Sequence, residues 1–245
     1  MLRSGHRFTN VLVYGAASDL GNAILAELPL EKGASLTLIG RATSVNPENY
    51  PKFDRVVYHQ HDLANFDSYE NLVVFIDSIG AVDLAIMASA VLPNEDEDLN
   101  FESVKTAMTI NVSGTTSVLS ILAKKLLATP NSHLLFISSV ASIRPRLRNF
   151  TYGATKAAGD FYSLGLGFKY RRQKLFVTVL RPGYVYTKMS ENFSPAPFAT
   201  TPEKVAKIAL LGLQRKKTVI YAPRKLKLIL NLARITPRFI FNRLG

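Results

Sequence analysis

Short apolar runs alternate with longer helical patterns along this chain, and no other feature narrows its possible folds as much. The runs are VLVYG, SLTLIG, RVVYH, VDLAIMA, HLLFISS, LFVTVLRPG and TVIYAP. Between them the spacing predicts helices at about Asp19 to Leu28, Asp67 to Ser78, Phe101 to Leu127, Tyr152 to Tyr170 and Pro202 to Gln214. Strands separated by helical crossovers run parallel, and the crossovers cover both faces of the sheet. The expected fold class is therefore α/β, a doubly wound parallel sheet of seven strands. No repeat, low-complexity tract or linker divides the chain, so residues 1–223 are expected to form one domain and residues 224–245 a basic amphipathic segment belonging to it. The Pro-rich stretch Ser194 to Pro202 reads as a long loop over the strand ends, a candidate substrate lid.

With 245 residues, 47% of them hydrophobic, the chain is long enough to bury one large core. It has no cysteine, which excludes disulfides, thiolate metal sites and a cysteine nucleophile. No metal site is expected. The opening MLRSGHRFTN runs directly into Val11 to Tyr14, too short an apolar run for a secretory signal. No stretch holds the roughly eighteen uncharged apolar residues that a membrane span needs. The expectation is a cytoplasmic protein, soluble or held to the inner face of the cell membrane from outside the bilayer.

Thirty Lys and Arg against 18 Asp and Glu give a formal charge of +12, and the basic residues crowd the last third, from Lys169 to Arg243. Such a field favours anionic partners: nucleic acid, acidic lipid or a phosphorylated substrate. No nucleic-acid-binding motif accompanies the charge, so nucleic acid is not expected. The tail from Arg224 to Arg243 interleaves Leu226, Leu228, Ile229, Leu232, Phe239 and Phe241 with basic residues, and Pro237 interrupts it. A basic amphipathic segment of this kind can lie on an anionic membrane surface; the other reading is a C-terminal helix packed on the domain or on a second subunit.

After the first strand comes Gly15-Ala16-Ala17-Ser18-Asp19-Leu20-Gly21, opening into a helix. Glycines here permit a tight turn and let backbone N–H groups approach a pyrophosphate at the positive end of the helix; an ordinary strand-to-helix turn is the bland alternative. Asp19 can cap the helix, although its charge disfavours a nearby phosphate. The second strand ends Gly40-Arg41 with no acidic residue to bind ribose hydroxyls, so Arg41 points toward the 2′-phosphate of NADPH, or is simply a surface arginine. Further on, Tyr152-Gly-Ala-Thr-Lys156 places a phenol and an ammonium on one helical face, where the ammonium can lower the phenol's pKa and make it a general acid. Tyr170/Lys174, Tyr184/Lys188 and Tyr221/Lys225 share that spacing, so context must separate them.

Only Tyr152 has the context, and it resembles the short-chain dehydrogenase/reductase family. Ser139 stands thirteen residues upstream at the end of the fifth strand, Asn111 lies in the long central helix, and Arg181-Pro182-Gly183 closes the sixth strand. The resemblance implies a Rossmann fold and a catalytic set of Asn111, Ser139, Tyr152 and Lys156, with NADH or NADPH as cofactor. Asn111 is the family's helix-kinking Asn, whose carbonyl holds a proton-relay water. The implied cofactor contacts are Gly15, Ser18, Asp19, Leu20, Gly21, Arg41, Asp62, Leu63, Ala88, Tyr152, Lys156, Pro182, Gly183, Val185 and Thr187. The sequence departs from the family where Asp19 replaces a glycine and where Met87-Ala88-Ser89-Ala90 replaces Asn-Asn-Ala-Gly.

Within the family the chain most resembles the reductases of decaprenylphosphoryl-2-keto-ribose. The similarity runs through Val82 to Ile86, Arg144 to Tyr152, Arg181 to Ser190 and the ending ITPRFIFNRL. It implies a polyprenyl-phosphate sugar as substrate, an FAD-dependent oxidase as partner, a role in cell-wall arabinan synthesis and NADH as coenzyme. Arg144, Arg146 and Arg148 could grip a phosphate, or be merely solvated. The alternatives are a ketoreductase acting on a soluble or acyl-carrier-linked ketone and, from another class, a non-catalytic NAD(P)-binding regulator. Relatives pair through the helices containing Asn111 and Tyr152, so a homo-oligomer is an open expectation.

Overall fold

The computed structural model describes residues 6–94, 97–146 and 148–235. Seven strands form one sheet: β1 (Phe8–Tyr14), β2 (Leu30–Gly40), β3 (Arg55–Gln60), β4 (Leu84–Met87), β5 (His133–Ile137), β6 (Phe176–Pro182) and β7 (Val219–Ala222). They lie in the order β3-β2-β1-β4-β5-β6-β7, and every pairing is parallel. Successive strands therefore step outward from β1 in one direction and then, from β4, in the other. A crevice opens where the direction reverses, above the C-terminal ends of β1 and β4.

The helices are α1 (Asp19–Glu27), α2 (Tyr69–Ser78), α3 (Phe101–Met108), α4 (Thr115–Leu127), α5 (Phe150–Tyr170), α6 (Pro202–Gln214) and α7 (Leu226–Ile235). The period-two alternation of β1 assigns its side chains to two cores. Val11 and Val13 pack with Ile24 of α1 and Val205 and Ala209 of α6 on one face. Leu12 and Tyr14 pack with Leu72 of α2 and Leu119 and Leu122 of α4 on the other. Each such leucine or isoleucine, fully withdrawn from water, stabilises the fold by about 1.5–3 kcal/mol. The helices begin where side-chain oxygens satisfy their free N–H groups: Ser18 accepts from Gly21, Asn100 from Ser103 and Thr201 from Lys204.

One element differs from the sequence expectation. The helix expected over Phe101 to Leu127 is interrupted by a π-helical turn at Thr109–Gly114, which separates α3 from α4. Gly114 is required there, because a Cβ on it would sit 2.5 Å from the Leu63 carbonyl oxygen. The C-terminal segment forms α7, with Leu226 buried against Gly183. Its remaining expected features, from Pro237 through Phe239 and Phe241 to Arg243, lie outside the described residues. Among the described residues no helix is long and apolar enough to cross a membrane, and no group of three or more acidic or histidine side chains could hold a metal ion.

Candidate active site

The crevice holds a cavity of about 1690 Å³. Its wall contains Gly15, Ser18, Asp19, Leu20, Arg41, Asp62, Leu63, Ala88, Ser139, Tyr152, Lys156, Pro182, Gly183, Val185 and Thr187, so the fold gathers these expected residues around one space. Gly21 and Asn111 are not in that wall. Gly21 stands behind it, donating its N–H to Ser18 Oγ at 3.0 Å, and Asn111 is 2% exposed.

Gly15 is needed twice over. Its φ of +109° is a conformation that residues with a Cβ rarely adopt, and a Cβ there would lie 2.8 Å from the Ala88 carbonyl carbon and the Ser89 nitrogen. The loop therefore runs against the backbone of the Met87 to Ala90 segment, which supports it without asparagine side chains. Ser18, not Asp19, caps α1. The Asp19 carboxylate turns away and accepts the backbone N–H of Lys188 at 2.8 Å, because Ser18 already serves the helix end. Asp62 closes a tight turn by accepting from Ala64 N–H at 2.9 Å, and Leu63 beside it is buried. At the far edge Tyr58 hydroxyl bonds to the Gly40 and Ala42 carbonyls and Gln60 donates to the Arg41 carbonyl, which holds the β2 end that presents Arg41.

Tyr152 and Lys156 share one face of α5, with Lys156 Nζ 5.6 Å from the Tyr152 ring centre. Gly153 permits this approach of α5 to the turn after β5, since a Cβ there would meet the Ala141 carbonyl oxygen at 2.8 Å. Lys156 is 4% exposed and donates to the Ile137 carbonyl at 2.9 Å. Burial pulls its pKa down to about 8, against the opposing charge of Asp160. The Tyr152 phenol is raised above its ordinary value by burial, and the charge that opposes this is Arg146. Desolvation is thus the larger influence on the phenol, and it acts against the lowering expected from the Lys156 ammonium.

Ser139 caps the short turn that follows β5, accepting the Ala141 N–H at 3.1 Å, and lines the same cavity as Tyr152. Asn111 lies inside the π-turn. Its side chain accepts from Val91 N–H at 2.8 Å and donates to the Val91 carbonyl at 2.7 Å and to Thr155 Oγ1 at 3.2 Å. It joins the segment after β4 to α5 one residue before Lys156. Thr187 begins a short turn to Ser190, closed by reciprocal bonds between the two residues. The Ser194 to Pro202 stretch is a loop, as expected; Ser194, Pro195 and Ala196 line the cavity, and Thr200 bridges to Val185.

Two features of the wall were not legible in the sequence. Ile229 and Leu232 of α7 line the mouth of the cavity, and only the return of the chain over Gly183 brings them there. His61, 4% exposed, also lines it, with Nδ1 2.6 Å from the Tyr14 hydroxyl. Burial holds His61 below its ordinary pKa and Tyr14 above its own. Its position directly before Asp62 was the one available signal. Arg146 and Arg148 also line the cavity, Arg146 on the Tyr152 side.

Known proteins resemble this chain over most of its length. An uncharacterized oxidoreductase of Mycobacterium tuberculosis is 25% identical over 96% of this chain and 96% of its own. One from Staphylococcus epidermidis is 32% identical over 74% of this chain and 79% of its own. Among solved structures, a 3-oxoacyl-[acyl-carrier protein] reductase from Brucella melitensis in complex with NAD superposes with a TM-score of 0.76 at 20% identity, covering 91% of this chain and 98% of that one. A short chain dehydrogenase from Burkholderia cenocepacia in complex with NADP gives 0.75 at 18% identity, covering 94% and 99%. The sequence pattern of the short chain dehydrogenases matches residues 9–197, and the chain belongs to that family of oxidoreductases.

Proposed function

We propose that this chain is an NAD(P)H-dependent ketoreductase whose substrate is a lipid-linked keto sugar phosphate, the 2-keto-ribose of a polyprenyl phosphate, reduced to the arabinose form. The observation that carries the ketoreductase reading is the meeting of Ser139, Tyr152 and Lys156 on one wall of the cavity that begins at the Gly15 loop. The fit of the dinucleotide rests on this structure: a glycine cradle pressed on Ala88, a helix N-terminus facing the cavity, and Arg41 at its far edge. Gly15 to Leu20 would hold the pyrophosphate, Asp62 and Leu63 the adenine end, and Pro182, Gly183, Val185 and Thr187 the nicotinamide end. When bound, the nicotinamide supplies the hydride.

The chain's own residues handle the proton. Burial keeps the Tyr152 phenol protonated at neutral pH, so it donates to the carbonyl oxygen as negative charge develops there. The Ser139 hydroxyl donates a hydrogen bond to the same oxygen. Lys156, charged below about pH 8, stabilises the phenolate left behind. Asn111 holds the Val91 segment and Thr155, keeping the route from solvent to Lys156 in place.

The anionic, lipid-linked substrate is supported by Arg146 beside Tyr152 and by the apolar mouth formed by Ile229, Leu232 and Phe193. Leu228 and Ile229 are exposed on α7. With Lys225 and Lys227 beside them, they suit a surface of anionic lipid. On this reading the enzyme works at the inner face of the cell membrane, after an FAD-dependent oxidase. A second reading, reduction of an acyl ketone on an acidic carrier protein, is favoured by Arg215, Lys217, Arg224 and Lys227 around a groove between α6 and β7.

The test is coenzyme consumption, followed by absorbance with NADH and NADPH in parallel, for wild type and Tyr152→Phe. Turnover of the polyprenyl-phosphate 2-keto-ribose, abolished by the substitution, supports the first reading. Turnover of carrier-linked 3-oxoacyl groups alone replaces it with the second, and no turnover of either removes both substrate assignments and leaves a reductase of some other ketone.

A further inference from the structure

Three pieces of backbone carry much of the proposed site: the turn after β5 with Ser139, helix α5 with Tyr152 and Lys156, and the turn at the end of β6 with Pro182 and Gly183. One buried network beneath the cavity joins all three. Asp160 lies one turn along α5 from Lys156 and is 4% exposed. Its Oδ2 accepts from Arg181 Nε at 2.7 Å and lies 2.7 Å from Ser142 Oγ. Arg181 immediately precedes Pro182-Gly183, and its Nη1 donates to the Tyr221 hydroxyl of β7 at 2.8 Å. The Ser142 hydroxyl lies 2.7 Å from the Ser139 carbonyl oxygen as well, so one proton serves two acceptors, one in the Ser139 turn and one on α5.

Stability alone is a poor reason for such a pair. Withdrawing a carboxylate and a guanidinium from water costs several kcal/mol per ion, by general estimate, and well-packed apolar residues commonly do as well or better. Asp160 Oδ1 is also buried without a hydrogen-bond partner, an added cost that an apolar residue would avoid. Neither Asp160 nor Arg181 lines the cavity, so neither touches what binds there.

We propose that Asp160 and Arg181 are a positioning pair, locking the Ser139 turn, the Lys156 turn of α5 and the Pro182–Gly183 turn into one relative placement. The proposal rests on the ketoreductase reading. Asp160 has a second effect through space, since its charge opposes the pull of burial on Lys156. The other groups around Lys156 do not compete with it: β5 presents the uncharged Phe136 ring at 5.3 Å and the Ile137 carbonyl. The π-turn brings neutral Asn111 to Thr155, α5 brings Tyr152, and Arg181 of β6 is engaged by Asp160 itself.

The test follows the Lys156 titration by NMR of lysine labelled at Cε, with the signal identified by its loss in Lys156→Met, beside the pH profile of kcat. In Asp160→Asn the Lys156 titration is expected about one unit lower, with the alkaline limb of kcat displaced equally. A fall in kcat of about ten- to a hundredfold should accompany it, as the three turns lose their register. Asp160→Asn leaves a buried guanidinium unpaired and can fail to fold, so Asp160→Asn/Arg181→Gln, which removes both charges, is measured in parallel. The double variant is expected to recover thermal stability but not kcat. Recovery of kcat together with stability, or an unchanged Lys156 titration in Asp160→Asn, overturns the proposal. Absence of wild-type turnover would count against the ketoreductase reading instead, and the Lys156 titration would still decide whether Asp160 acts on that lysine.

Discussion

The carboxylate of Asp19 accepts the backbone N–H of Lys188 at 2.8 Å, joining the first turn of α1 to the loop after β6 across 169 residues of sequence. Both residues line the cavity, so this single bond ties the α1 side of its wall to the β6 side. It also places a negative charge at a helix N-terminus where a pyrophosphate would bind.

These two effects can be separated. Asp19→Asn keeps an acceptor for Lys188 and removes the charge, so coenzyme should bind about two- to fivefold more tightly, the scale of one charge at a helix end. Asp19→Gly also loses the bond, and the KM for the ketone should rise several-fold as the Thr187 to Ser190 turn is released. Fluorescence titration of coenzyme and steady-state kinetics measure the two; unchanged constants in both variants would remove Asp19 from the site.

Arg41 should govern the choice of coenzyme. Replacing it with alanine is expected to weaken NADPH binding about tenfold, the loss of one charge-assisted contact of about 1.4 kcal/mol, and to leave NADH binding unchanged. Equal weakening of both coenzymes would show that Arg41 supports the loop and does not read the 2′-phosphate.

Lys156 makes activity and stability respond to alkali in opposite directions. Its folded pKa of about 8 lies below the unfolded value of 10.5. Activity that needs the ammonium should therefore decline above about pH 8. Between pH 8 and 10.5 the unfolded chain binds more protons at this site than the folded one, so its contribution to stability rises with pH. Urea unfolding at pH 8 and pH 9.5 should show that increment in wild type and not in Lys156→Met.

His133 should make the fold acid-sensitive. It is 1% exposed, both ring nitrogens lack hydrogen-bond partners, and burial with the nearby His6 and Lys216 pulls its pKa from 6.5 to about 3. Below about pH 6.5 the unfolded chain takes up a proton that the folded chain refuses, so stability falls continuously toward pH 3. His133→Phe, seated among Phe8 and Phe176, should flatten that loss; an equal acid dependence in the variant would assign it to other groups.

Anionic vesicles test the surface of α7. Leu228 and Ile229 are exposed, the second at the rim of the cavity. Replacing both with serine should cut co-sedimentation with phosphatidylglycerol vesicles at least about fivefold, from the apolar area removed. Equal sedimentation of variant and wild type would withdraw the membrane surface from the proposed partners.

Much of this protein is determined by its sequence alone, wherever the interactions are local or periodic. The seven apolar runs became seven parallel strands, with a helix after every run but the second, whose crossover to β3 carries only a short turn at Pro47–Asn49. Gly15 sits at a strand end and Tyr152 and Lys156 on a helix face that the pattern located, while the family resemblance singled out Ser139 and separated this Tyr/Lys pair from the others. Helix ends were legible where a capping residue marks them, as at Thr201-Pro202. The family resemblance implied a kink at Asn111, but its form was not visible, since Thr109 to Gly114 continues the helical spacing and contacts with Leu63 and Val91 accompany the π-turn.

What the tertiary structure decided depends on residues far apart in the chain. Asp19 reads as a helix cap until Lys188 arrives beside it, and Arg181 reads as a turn residue until Asp160 and Tyr221 surround it. Ile229 and Leu232 read as one stripe of an amphipathic tail until α7 crosses the mouth of the cavity. The protonation of Lys156 and Tyr152 belongs with these. The order of residues places the two groups on one helix face, but burial by several separate segments sets their pKa values. A sequence specifies which side chains are neighbours along an element; how much water the folded chain leaves around them is a property of the whole packing.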